Sequence, residues 1–268
     1  MTTQHRQLII SISILIVAGI GLYLLLRYVP ARTVPAENVS QAVIDTSLVT
    51  IKTYATPTDY ATYEVSYPQF ANASAEFNKK IEDVAMNAVH EHAKDSEENW
   101  KARYETRTPG ETIAQKPSEN DKFQLAIKYE PAQVNSLAIS FILRISGYTG
   151  GAHGYENLVS FNYDVQNAKE LTLDDFFKAT PNYLTILSDF SRKELTAQFH
   201  ERLEIKTPED EQNFTESTLP MLLDGTKPEA QNFSVFTFTP KEMTVYFTQY
   251  QVAPYVMGES QVVFPIQN

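Results

Sequence analysis

SLAISFILRISGYTGGAHGYENLVSFNYDV, Ser136 to Val165, sets two long β runs on either side of a segment that holds four of the chain's nine glycines. Ile, Phe, Leu and Val recur on both sides with polar residues between them, the pattern of half-buried strands. Gly150, Gly151 and Gly154 allow positive φ angles, so the intervening segment reads as a compact connection between strands. Neighbouring long strands with a short link imply an antiparallel sheet. A phosphate cradle is the competing reading, and it needs glycines ahead of a helix N-terminus. Here a strand follows, and neither GKS nor GKT occurs in the chain. His153, in the middle of the loop, is either held by the loop's own backbone groups or displayed for binding or proton transfer. A general acid or base would need a second titrating group within reach.

Working towards the N-terminus, KFQLAIKYE (Lys122–Glu130), YATYEVSYP (Tyr60–Pro68) and LVTIKTYA (Leu48–Ala55) have the same strand chemistry. Between them the period changes. Phe70, Phe77, Ile81, Val84 and Ala88 recur at three, four or seven residues, which predicts an amphipathic helix from about Ser74 to Arg103, with Trp100 near its end. Towards the C-terminus, Thr172 and Asp175 have the spacing of a capping box. Thr180 and Pro181 open a second long helix with Leu184, Leu187, Phe190, Leu195, Phe199 and Leu203 as its apolar positions. KTPEDEQNFTEST (Lys206–Thr218) reads as a polar loop, and three short β runs broken by Pro240, Pro254 and Gly258 end the chain. The expected fold is α+β, a largely antiparallel sheet of about seven strands covered by two long helices.

Leu8 to Leu26 is nineteen residues without a charge, enough for a helix to cross a hydrocarbon core of roughly 30 Å. It reads as a single membrane anchor, because the apolar part of a cleaved signal peptide is usually shorter, about 7 to 15 residues. The expected order is a cytoplasmic tail at 1–7, the anchor at 8–26, a stalk at 27–47 and an extracytoplasmic domain at 48–268, divided at 116/117. Arg6 and Arg27 flank the anchor and every acid follows it, so the remainder carries −13 where the whole chain carries −11. Such a charge repels nucleic acid and anionic polymers and favours cationic partners. With no cysteine in the chain, disulfides, thiolate metal sites and a cysteine nucleophile are excluded.

The remaining polar residues have ordinary explanations. His90 and His92 are two apart on a helix and do not share a face, HExxH is absent, and no metal or other cofactor is expected. Asp174 and Asp175 suit the first turn of a helix. No serine sits in GxSxG, so the hydrolase elbow is missing. Tyr246, Tyr250 and Tyr255, with turn formers among them, present a binding rim or pack into the core.

GGAHGYENLVSFNYDVQNAKELTLDDFF (Gly150–Phe177) and YFTQYQVAPYVMGESQVVFPI (Tyr246–Ile266) resemble the extracytoplasmic domain of RsiV anti-sigma factors and the non-catalytic N-terminal region of PdaC-type peptidoglycan deacetylases. YEVSYPQFANASAEFNKKI (Tyr63–Ile81) is similar to the first half of that two-part module. The resemblance implies an α/β domain outside the membrane, with lysozyme as the ligand in RsiV. The seven residues ahead of the anchor cannot hold a sigma factor and no metal-dependent deacetylase domain follows, so neither activity is carried over. The expected function is a membrane-anchored binding or sensing module of the bacterial cell envelope, with lysozyme or an envelope glycan as partner. Its expected binding residues are Gly150, Gly151, His153, Gly154, Tyr250 and Tyr255. An envelope glycan- or peptide-processing enzyme using His153 and a structural spacer are the alternatives.

Overall fold

The computed structural model describes residues 42–266 apart from 109, 112 and 113. No helix among them is long and apolar enough to cross a membrane. The expected tail, the anchor at 8–26 and the stalk as far as residue 41 lie outside the described residues. The last stalk residues pair with the domain: the Asp45 amide donates to the Val134 carbonyl and the Val134 amide to that of Val43, both at 2.8 Å.

The chain divides into two compact units, one beginning at Ala42 and ending at Glu170, the other running from Leu171 onward. In the first unit the strands are β1 (Val49–Tyr54), β2 (Ala61–Phe70), β3 (Phe123–Val134), β4 (Ala138–Tyr148), β5 (Tyr155–Asp164) and β6 (Lys169–Glu170), lying side by side in that order. Four of the pairings are antiparallel; β2 and β3 are parallel, from Ala61 beside Phe123 to Val65 beside Ile127. Helix α1 (Ala75–Glu105) causes the exception. It carries the chain back along the sheet, so the next strand starts at the end where β2 started.

Ser74 starts α1, its Oγ accepting from the Phe77 amide at 3.1 Å. The buried face is Phe77, Ile81, Ala85, Val89, His92, Ser96 and Trp100. This stripe leaves Val84 and Ala88, two of the expected core positions, only partly buried. It packs on Val65, Leu125, Ile127, Phe141, Leu143 and Phe161 of the sheet, and the Phe77 ring stacks on Tyr163 at 4.3 Å.

The second unit contains α2 (Leu173–Phe176), α3 (Tyr183–Arg202), α4 (Pro208–Ser217), α5 (Leu219–Gly225) and an antiparallel sheet of β7 (Phe236–Phe238), β8 (Glu242–Phe247) and β9 (Ser260–Pro265). Leu187, Leu195 and Phe199 of α3 share a core with Val245, Phe247, Val262 and Phe264. The expected single sheet under two helices is therefore corrected to two sheets, each with its own long helix and its own core. Lys206–Thr218 is also corrected. Thr207 Oγ1 accepts from the Asp210 amide while Asp210 accepts from the Thr207 amide, Pro208 takes the first helical position, and Phe214 is buried at 3% exposure. The acids that made this stretch look like a loop sit in the helix's first turn, where its dipole favours them.

Candidate functional site

The glycine loop closes the β4–β5 hairpin, whose last paired residues are Gly147 and Tyr155. Of the three glycines expected to take positive φ, Gly150 alone does, at 94°. It also lies against the ring of Phe123, where an added Cβ would stand 2.9 Å from Cζ. Gly147 is needed for a different reason, since a Cβ there would meet the Tyr155 hydroxyl at 2.6 Å. His153 is exposed, and its Nδ1 is 2.8 Å from the Gly154 carbonyl oxygen, so the loop's own backbone engages the ring. His153→Ala is therefore expected to change stability by no more than about 0.5 kcal/mol, read as an unchanged urea midpoint.

Tyr155 reaches across Gly147 towards α1, where its hydroxyl is 3.0 Å from His92 Nδ1. Burial pushes His92 down from the usual 6.5 to about 4, against the opposing pull of Asp95. His92 is thus neutral at physiological pH, and its Nε2 has no hydrogen-bond partner among the described residues. Burial raises the Tyr155 hydroxyl, so that it stays protonated too.

Beside the loop, a cleft of about 690 Å³ opens between the end of α1, the connection before β3, and the adjoining ends of β3 and β4. Trp100, Phe123 and Tyr148 form its aromatic side, edge to face, with ring centroids 6.1 Å and 5.8 Å apart along the series. Trp100 and Phe123 are 6% and 5% exposed, and Tyr148 is 42% exposed. The Trp100 indole donates to the Ala114 carbonyl at 3.1 Å, which fixes its ring. The guanidinium of Arg103 lies 5.7 Å from the centre of the Trp100 ring. Lys122 is nearly buried along its stem and pairs with Glu119 at 2.8 Å. Asn99 ties the loop to α1 by donating to the Thr149 carbonyl at 2.9 Å.

In the second unit, Tyr250 is 54% exposed with φ at 66°, and its ring centroid lies 5.5 Å from that of Tyr255. The six expected binding residues thus fall into two groups, four on the glycine loop and two on this tyrosine pair.

Residues 55–156 match the family described as Deacetylase PdaC, and residues 174–267 match the family described as Protein of unknown function (DUF3298). Peptidoglycan-N-acetylmuramic acid deacetylase PdaC of Bacillus subtilis is 27% identical over 200 residues. The region is PdaC-like. The alignment takes in 75% of this chain and 36% of that deacetylase, so the chain spans little more than a third of its curated relative. A crystal structure of a DUF3298 family member from Bacteroides fragilis has the same fold at 17% identity and a TM-score of 0.53, covering 81% of this chain and 90% of that one. The two matches coincide with the two compact units. They suggest an extracytoplasmic, cell-envelope-related domain.

Within the PdaC-like unit, the sequence pointed to the loop and missed what the loop covers. Trp100 was legible only as a residue near the end of a helix and Phe123 only as part of a strand, and His92 only as half of a rejected metal pair. The signal for His92 was available, because it continues the stripe through Val89, Ser96 and Trp100 at helical spacing. In the DUF3298-like unit, Asp174 and Asp175 take up separate structural roles. Asp174 accepts from the Tyr183 hydroxyl at 2.6 Å, and Asp175 accepts from the Thr172 amide at 3.1 Å.

Proposed function

We propose that this chain is a membrane-anchored extracytoplasmic binding or sensing module of the bacterial cell envelope. The observation that carries this reading is the division of labour around the glycine loop. His153 is engaged by the loop backbone and His92 is buried against Tyr155, while the neighbouring cleft offers aromatic edges and hydrogen-bonding groups to a ligand. The similarity to a peptidoglycan deacetylase over a region shared with DUF3298 supports an envelope setting. In this reading the apolar stretch at 8–26 is the anchor and residues 48–268 lie outside the cytoplasm.

Two ligand classes fit, soluble peptidoglycan fragments and a cationic protein such as lysozyme. The second draws on the acidic charge of the domain and on the resemblance to RsiV. Calorimetric titration of the full chain in lipid nanodiscs against both, at low and physiological salt, tests the proposal. Micromolar or tighter binding of at least one is expected, with lysozyme binding weakened by salt. Heat from neither would remove the binding role. An envelope activity abolished by His153→Ala would replace it with catalysis.

A further inference from the structure

We infer that the cleft at the end of α1 is a saccharide site, shaped for an amino-sugar chain that carries a carboxylate. This deepens the binding reading above and rests on it. A pyranose ring presents a C–H face that packs on aromatic surface, while its rim of hydroxyl and acetamido groups needs planar polar partners. The cleft supplies both. Tyr148 stands 42% exposed and is braced edge-on by Phe123, which is itself held under Gly150. The platform is therefore set before a ligand arrives, and little side-chain freedom is lost on binding. Asn120 and Gln124 are exposed on the lining, and neither side-chain amide has a partner among the described residues.

Charge selects the ligand further. The whole chain is acidic at −11, and the lining includes one acid, Asp121, which accepts from the Ser118 hydroxyl at 2.6 Å, and two cations, which are not equivalent. Lys122 is satisfied by Glu119 at 2.8 Å. Arg103 is exposed beside the Trp100 ring and has no acidic partner among the described residues. An arginine in that position offers a two-pronged donor to a carboxylate. The cleft volume, about 690 Å³, falls in the range of pockets that hold small ligands. A glycan of N-acetylglucosamine and N-acetylmuramic acid joins these features in one molecule, with acetamido groups on both sugars and a lactyl carboxylate on the second.

The chain contains a single tryptophan, Trp100, so intrinsic fluorescence reads this cleft without a label. The full chain is titrated with soluble fragments of the N-acetylglucosaminyl-N-acetylmuramic acid repeat and with chitooligosaccharides of equal length, calorimetry running in parallel. Saturable change in Trp100 emission is expected with the muramic fragments, at an affinity at least fivefold tighter than with the carboxylate-free chain. Tyr148→Ala should weaken both at least tenfold, and Arg103→Ala should abolish the preference between them. Both residues are exposed, so an unchanged thermal melt separates lost contacts from lost fold.

Glycan heat with no change in emission, or with unchanged affinity in both variants, would put the sugar elsewhere and overturn this assignment while the binding module stands. Binding of lysozyme without binding of either sugar would do the same. Heat from no ligand would overturn both.

Discussion

Gly225→Ala is expected to cost about 3 kcal/mol or more, enough to lower the melting temperature by several degrees or to prevent accumulation of folded protein. Gly225 ends α5 and is buried. A methyl group there would overlap the Gln251 carbonyl oxygen and stand 2.7 Å from its carbonyl carbon. Backbone cannot swing aside as a flexible side chain would, and this backbone is fastened. The Gln251 side-chain amide donates to the carbonyls of Gly225 and Asn232 at 3.2 Å and 2.9 Å. The next residues, Val252 and Ala253, are each 1% exposed in the core of the DUF3298-like unit. Relief of the clash would draw both of them outward. Urea denaturation of the variant against the parent reads the effect, and a loss below about 1 kcal/mol would mean that the chain around Gln251 yields more easily than its contacts imply.

Acid should unfold the PdaC-like unit through His92. Its folded pKa is lowered from 6.5 to about 4, so between those values the unfolded chain binds a proton that the folded chain refuses. Stability from this residue is complete above pH 6.5 and falls as the pH drops towards 4, where about 3 kcal/mol has been lost. Aspartates and glutamates contribute their own pH dependence, so the comparison needs a variant that cannot titrate at this position. His92→Phe keeps a flat ring against Tyr63, which now meets His92 edge-on at 6.0 Å between centroids. The variant gives up the 3.0 Å contact with Tyr155 at every pH, yet its stability should decline less steeply than the parent's between pH 7 and pH 4. Parallel declines in the two proteins would show that His92 takes up its proton without cost to the fold.

Local signals in the sequence served well where a residue's own chemistry dictates its conformation. The start of α1 near Ser74, the strand alternation around the glycine loop and the Thr172–Asp175 box are all legible within a few residues. Failures came where a role depends on distant chain. Division into two sheets is invisible in strand patterns, because an alternating strand reads the same whichever sheet receives it. The parallel β2–β3 pairing follows from the length of α1 and not from either strand. At Thr207–Ser217 the turn-like composition outweighed a capping signal of the kind recognised at Thr172. At the candidate site, glycine content marked the loop, but its reason lies in partners far along the chain: Phe123 beneath Gly150, and Tyr155 across Gly147. A cleft built from α1, β3 and β4 leaves no contiguous motif.

The parallel pairing of β2 and β3 also sets an order of events for a chain that emerges from its N-terminus. β1 can pair with β2 as soon as both are out, and β3, β4 and β5 can zip together across short connections. The row of donors and acceptors from Ala61 to Val65 must wait until the whole of α1 has passed and Phe123 has arrived. Closing such a distant contact is slow compared with forming a hairpin, and an open strand edge invites pairing with other chains meanwhile. Resistance to proteolysis during synthesis should therefore begin with the delivery of β3, leaving a finished α1 still unguarded.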